Sequence, residues 1–432
     1  MSEPDRSSVQ LLAGHLREQT LAAMAADTNT DTAGRPRLEQ IRLHVRAAAD
    51  EVLRFDLVAR RGPTDPNLLL QAQELAVRSL TELQGLQPLL ADPEITNISI
   101  IGCDRVWVRY ADGTKRQMPA VADSDADLVA MLRLLAAARD GGEERRFDHG
   151  VPRLSMQLPD GSRLFATMAV TERPTVSVRR HRLMHATLDD LIGTHTMTEP
   201  IALLLTAMVK ARKNVLITGG TDTGKTTLLR AMAKAIPASE KIITIEDTYE
   251  LGLDTDPDHP DCIAMQVREP NVEGSGSIDQ AELVRWALRM SPDRVIVGEA
   301  RGGEVVPLLN AMSQGTDGSL ATVHASSSQV AFGRLLTYAA QSAERLDFDA
   351  TAMLVGNALD FVVQLSKLPG DRRVVSSIRQ VLHAQGRDVV SNEVYEPGPD
   401  KLARPAAPIR ADMLDDLVAA GLDPLVLRPQ DR

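Results

Sequence analysis

Residues 215–230 read Val-Leu-Ile-Thr-Gly-Gly-Thr-Asp-Thr-Gly-Lys-Thr-Thr-Leu-Leu-Arg, and this stretch decides the fold. Its middle, Gly219 to Thr226, matches G-x-x-x-x-G-K-[ST] without a gap. A β-branched run leads in, and Thr227-Leu228-Leu229-Arg230 leads out as a helix. Gly219 and Gly224 let the backbone turn tightly and bring its N–H groups against phosphate oxygens. Gly220, Thr221, Asp222 and Thr223 make up the rest of this cradle, and Thr227 follows in the first helical turn. The helix N-terminus adds a partial positive charge. Lys225 is placed to reach the β- and γ-phosphates, and Thr226 to ligate Mg2+. The dinucleotide fingerprint G-x-G-x-x-G is absent here.

Around the loop, short β-branched runs at 214–218, 241–246, 262–267, 294–297 and 319–323 alternate with helical stretches at 226–235, 279–290, 304–313 and 327–340. That alternation predicts βαβ units, an α/β class and a mostly parallel sheet. In such a sheet, ligands bind at the carboxyl ends of strands. Glu246 and Asp247 end one run, with Glu250 one turn on, and Glu299 ends another. Catalysis at a phosphate loop needs one carboxylate for Mg2+ or its waters and one to orient attacking water. Glu246 and Glu299 divide these tasks, in an order the sequence leaves open. His324, after the run at 320–323, is placed as a γ-phosphate sensor. Arg301 either pairs with Glu304 or reads phosphate.

The chain has 432 residues, 43% hydrophobic and 25% charged, a composition that folds. Its net charge of −11 argues against a generic nucleic-acid binder. Two cysteines, Cys103 and Cys262, rule out a disulfide framework and a four-cysteine zinc site. Apolar runs such as Ile201 to Val209 fall short of the ~20 residues of a membrane span. No signal peptide opens the sequence, so a cytoplasmic protein, with at most peripheral membrane contact, is expected.

The organisation predicted is a helical region at 1–90 with a flexible first ~30 residues, then an α+β domain at 91–182. A linker at 183–198 leads to the α/β domain at 199–395, and a Pro-rich linker with a short helix closes the chain at 396–432. Helical spacing marks 7–25, 38–57, 67–90 and 124–140, and period-two spacing marks 95–101, 106–110, 154–158, 164–170 and 175–179. His181 and His185 lack a third ligand, and Pro257 and Pro260 break the acidic run Asp254, Asp256, Asp258 and Asp261, so neither reads as a metal site.

The boxes fall in a telling order. After the loop come Thr-Ile-Glu-Asp-x-x-Glu-Leu (244–251), Arg-Met-x-Pro-Asp-Arg-x-Ile-Val-Gly-Glu-x-Arg-Gly-Gly-Glu (289–304) and Gly-Ser-Leu-Ala-Thr-Val-His-Ala (318–325). The sequence resembles the type II/type IV secretion and type IV pilus ATPase family, with most similarity to the tight-adherence (Flp-type) pilus assembly ATPases. There these are the Walker A, aspartate, Walker B and histidine boxes. Upstream, 89–100, 158–163 and 175–180 resemble the family's sensor-like domain, and downstream 361–381 its closing hairpin. The resemblance implies a RecA-like P-loop core behind a small α+β domain, ATP and Mg2+ as ligands, and a homo-oligomer, expectedly a hexamer. It implies an inner-membrane platform protein as partner and attachment to the cytoplasmic face of that membrane. Arg163 and Arg179 match the family's phosphate-directed arginines, with Arg180 a weaker candidate. Gln157 stands where the family usually has arginine, and Thr316 lies in a run where it often has histidine. The function implied is Mg2+-dependent ATP hydrolysis that energises export or pilus assembly. The alternatives are a weakly hydrolytic nucleotide-binding scaffold and a DNA-associated P-loop ATPase.

Overall fold

The computed structural model describes residues 6–26, 37–59, 64–81, 85–137, 147–158, 160–180, 186–268 and 275–427. Apolar residues three and four apart fold the start of the chain into α1 (Arg6–Ala26), α2 (Arg37–Val58) and α3 (Pro66–Thr81). Leu16, Ile41, Val45 and Ala72 are buried together between them. Residues 6–26, which fall in the expected flexible start, thus form a helix because Ala13 and Leu16 recur on one face and are covered.

A second core follows. It is built from α4 (Leu86–Ala91), β1 (Ile95–Ile101), β2 (Arg105–Tyr110), β3 (Lys115–Met118), α5 (Asp125–Ala137), β4 (Arg153–Gln157), β5 (Arg163–Thr167) and β6 (Thr175–Arg179). The strands form an antiparallel sheet in the order β3-β2-β1-β6-β5-β4. Alternate residues Ile98, Ile100, Val106, Val108, Leu164, Val176 and Val178 share one buried face with Leu128 and Leu132 of α5. The edge strand β3 reads Lys-Arg-Gln-Met, with no apolar alternation for a sequence reading to find. Backbone contacts close this first unit at Arg180, leaving aside residues 159–161, and a second unit runs from His181.

The second unit contains α6 (Leu188–Gly193), α7 (Glu199–Lys210), β7 (Val215–Gly219), α8 (Lys225–Ala233), β8 (Ile242–Glu246), β9 (Cys262–Gln266), α9 (Gln280–Ala287), β10 (Arg294–Ala300), α10 (Val305–Ser313), β11 (Leu320–His324), α11 (Val330–Gln341), α12 (Phe348–Ala358), β12 (Phe361–Lys367), β13 (Arg373–Gln385), β14 (Asp388–Pro397), β15 (Ala403–Pro405) and α13 (Ala411–Ala419). Its nine strands lie in the order β15-β14-β13-β12-β7-β11-β10-β8-β9. From β12 to β9 they are parallel, and β13 to β15 extend the sheet antiparallel. β7 and β8 are buried on both faces, as parallel strands covered by helices must be. Val215 and Ile217 pack with α7 and α8 on one side. Leu216 packs with α9 to α12 on the other. This is the RecA-like α/β core expected, with the phosphate loop leaving a central strand.

Two boundaries differ from the sequence reading. The described part of the 183–198 linker carries α6, started by a capping box between Thr187 and Asp190, with Leu188 and Leu191 in the core. His181 and His185 lie outside the described residues. The domain also continues past 395. β15 pairs with β14, and Met413, Leu417 and Leu422 join the same core. Four prolines made this segment read as a linker, but proline is tolerated on an edge strand. No helix among the described residues is long and apolar enough to cross a membrane.

Asn214, just before β7, fixes where the loop strand begins. Its amide donates to Met312 O at 2.9 Å and Ala358 O at 2.8 Å, and accepts from Gly318 N and Ser319 N at 3.0 Å. Asn214→Ala strands these buried partners, at a cost of about 3 kcal/mol. A lowered denaturant midpoint with an unchanged m-value checks this.

Candidate functional site

The sheet brings the carboxyl ends of β7, β8, β10 and β11 to one edge, and the loop chemistry collects there. Gly224 caps α8 at φ 91°, a left-handed conformation that glycine adopts without strain. A Cβ on Gly219 would lie 2.5 Å from Thr223 Oγ1 and 2.8 Å from Leu365 O. The loop therefore needs glycine for close approach. Thr223 Oγ1 donates to Gly220 O at 3.0 Å. Thr226 and Thr227 are half-buried in the first turn of α8, and Thr221 is exposed.

Lys225 is buried, and its Nζ donates to Gly220 O at 2.9 Å and Gly219 O at 3.3 Å. It also lies 3.3 Å from His324 Nδ1. An ammonium only donates, so Nδ1 is the acceptor and the ring proton sits on Nε2. That nitrogen is 2.7 Å from Glu299 Oε1. Glu299 Oε2 meets Arg301 Nη2 at 2.7 Å, and Arg301 Nη1 meets Asp247 Oδ2 at 2.7 Å. One polar chain thus joins Lys225, His324, Glu299, Arg301 and Asp247. His324 stands level with Gly219 in the β11–β7 register. The β10–β11 pairing shifts between Val297 and Ala300, which re-aims the chain at Gly298 and Glu299. The Arg301 guanidinium therefore does not pair with Glu304. The Glu304 carboxylate accepts instead from the backbone amides of Arg301 and Gly302.

Glu246 is set apart. Its Oε2 accepts from Glu250 N at 2.7 Å and Leu251 N at 2.8 Å. A Cβ on Gly298 would sit 3.3 Å from its Cγ, so a glycine there makes its room. Burial pushes the Glu246 carboxyl up to about 7, against the two backbone hydrogen bonds. Glu299 is also raised by burial, but the Arg301 hydrogen bond and the neighbouring cations outweigh this and hold it below the ordinary range. Burial, with Lys225 and Arg301 nearby, outweighs the opposite pull of Glu299 and lowers His324 below its ordinary value, so the neutral ring is favoured.

Arg163 and Arg179 lie in the first unit, directly opposite each other on β5 and β6. They belong to a row across the whole sheet: Lys115, Arg109, Asn97, Arg179, Arg163 and Gln157. Two arginines thus face each other where β5 meets β6. Arg180 instead bonds the backbone carbonyl of Asp92.

Sequence reading missed two features. Gln364 on β12 accepts from Thr218 at 2.5 Å and donates to Ala325 O at 3.3 Å, bridging the loop strand and the residue after His324. Lys367 and Arg373 hold Asp222 from the β12–β13 turn. The visible signal for the second was a carboxylate inside a phosphate loop.

Residues 102–389 match the family model described as Type II/IV secretion system protein. The chain belongs to this family. The "Putative conjugal transfer protein MT3759" of Mycobacterium tuberculosis (strain CDC 1551 / Oshkosh) is 34% identical over 318 residues, covering 71% of this chain and 87% of the relative. The "Type IV secretion system protein PtlH" of Bordetella pertussis (strain Tohama I) is 31% identical over 322 residues, covering 68% and 92%. Among solved structures, the VirB11 ATPase from the Brucella suis type IV secretion system, in complex with sulphate, is 26% identical and covers 71% of this chain and 96% of that one, with a TM-score of 0.37. In this Type II/IV secretion system protein the matched segment holds the loop, Glu246, Glu299, Arg301, His324 and the β12–β13 turn, and excludes α1 to α3.

Gly219→Ala forces a backbone shift at Leu365 and is expected to abolish MgADP binding while the protein stays folded. Calorimetry beside circular dichroism checks both.

Proposed function

We propose that this chain is a ring-forming motor ATPase that hydrolyses ATP with Mg2+ and energises a secretion or pilus-assembly machine. The observation that carries the reading is the polar chain from Lys225 through His324 and Glu299 to Arg301 and Asp247, which ties the phosphate loop to the ends of three further strands. The residues fit the ligands. The loop is a cradle that a Cβ would fill, and a hydroxyl and a carboxylate are the oxygen donors Mg2+ prefers. Thr226 and Glu299 would hold the ion, whose charge offsets that of the phosphates.

The two glutamates are pushed apart in acidity, and such a split assigns roles. Glu299, kept ionised, serves as the fixed charge. Glu246, at about 7, serves as the general base. It takes a proton from water as the water oxygen bonds the γ-phosphorus and the β–γ bridging bond breaks. Lys225 and the loop amides hold the phosphates, while neutral His324 and Arg301 read the γ-phosphate. The guanidinium forks of Arg163 and Arg179 suit phosphate oxygens, which supports a phosphate-directed role. Movement of the first unit on hydrolysis is the stroke. A hexamer docked on an inner-membrane platform protein at the cytoplasmic face completes the reading. The names of the relatives, conjugal transfer and type IV secretion, support export as the work done.

Purified protein and Lys225→Ala, assayed across a concentration series, test it. Specific activity that rises with concentration and is lost in the variant is expected. Nucleotide binding without turnover would instead favour the scaffold.

The base must be ionised, so kcat/KM falls as pH drops through about 7. Glu246→Gln removes at least about 100-fold in kcat. The folded-state pKa lies above the unfolded one, so Glu246 costs stability once pH rises through the interval between them. Glu246→Gln should therefore melt higher than wild type at pH 8 and not at pH 4.

A further inference from the structure

We infer that Asp222 is a positioning residue of the phosphate loop, and that Lys367, Asp371 and Arg373 in the β12–β13 turn form with it an ionic clamp that sets nucleotide affinity. The inference rests on reading the loop as a nucleotide site. Asp222 has φ 58°, a left-handed conformation that costs a non-glycine residue energy unless its surroundings hold it. The surroundings do hold it. Asp222 Oδ2 meets Lys367 Nζ at 2.6 Å, and Oδ1 meets Arg373 Nη2 at 3.0 Å. Arg373 Nε also donates to the Asp222 carbonyl at 3.1 Å. A Cβ on Gly224 would lie 3.3 Å from Arg373 Cδ, so the arginine stem runs along the loop as well.

The turn that supplies these cations is itself constrained. Gly370 and Asp371 have φ of 76° and 64°. Asp371 pairs with Lys367 at 2.5 Å and with Arg373 at 3.4 Å. Two carboxylates thus face two cations. Each carboxylate is paired with both cations, so the Asp222 charge is offset where phosphates arrive. If one cation is removed, the Asp222 carboxylate becomes a negative charge beside the phosphate site. The carboxylate that positions the loop then opposes its ligand.

That sign reversal is the test. Full-length wild type, Arg373→Gln, Asp222→Asn and the double variant are titrated with MgADP by calorimetry at about 50 mM and about 500 mM salt, either side of strong screening. Asparagine keeps the shape of aspartate and its tolerance of positive φ. Arg373→Gln is expected to weaken binding about fivefold and Asp222→Asn about twofold. The double variant should bind better than Arg373→Gln alone, and all differences should shrink at high salt. A merely structural role would give neither the rescue nor the salt dependence. Losses that add, or no loss, overturn the clamp. Wild type that fails to bind MgADP overturns the nucleotide-site reading and the clamp with it. Should Arg373→Gln not fold, Lys367→Gln takes its place in the same cycle.

Discussion

A strand covered by helices on both faces can present chemistry only at its ends, and the second unit is organised by that constraint. β7 buries every residue, so its polar work begins where it stops, at Gly219. The same holds for β8 at Glu246 and β11 at His324. Parallel pairing puts these ends at one edge of the sheet. The site therefore needs no long loops, because register does the positioning. Asn214 at the other end of β7 sets that register, and the shift at Gly298 and Glu299 adjusts it for one carboxylate.

Much of this was legible in the sequence. The loop motif is contiguous, and its strand and helix announce themselves through β-branched runs and helical spacing. Glu246, Glu299 and His324 stood at run ends, and the structure places them there. What stayed hidden has a common cause. The reach of Arg301 to Asp247, the bridge made by Gln364 and the hold on Asp222 are pairings between positions far apart in the chain, which leave no local periodicity. α12 and the polar strand β3 had weak patterns of their own. The segment after 395 misled for a different reason: its prolines read as a linker, although Pro397 only ends β14 and Pro405 lies on the edge strand β15.

The two glutamates show how one residue type serves two purposes within one site. Glu246 is buried with two backbone amides on its carboxylate, and Glu299 lies among cations. Burial alone would raise both. The difference is Arg301, whose reach from Glu299 to Asp247 spends its charge on the carboxylates of β10 and the segment after β8 and leaves Glu246 to the amides of Glu250 and Leu251.

The tail has a mechanical meaning. α13 packs on α7, and Asp416 pairs with Lys213 in the short link from α7 to β7. Inward from α13, β15 is zipped to β14, β14 to β13, β13 to β12, and β12 lies directly against β7. Residues near 420 are therefore tied to the strand that carries the phosphate loop by two routes, directly through α7 and Lys213 and indirectly through the hairpins. A tug on residues near 420 would first load the α13–α7 contact and the Asp416–Lys213 pair; once these part, it would travel through hairpins, which unzip pair by pair, before reaching β12 and β7. The antiparallel extension is the compliant part of this unit, and the parallel core is its anvil.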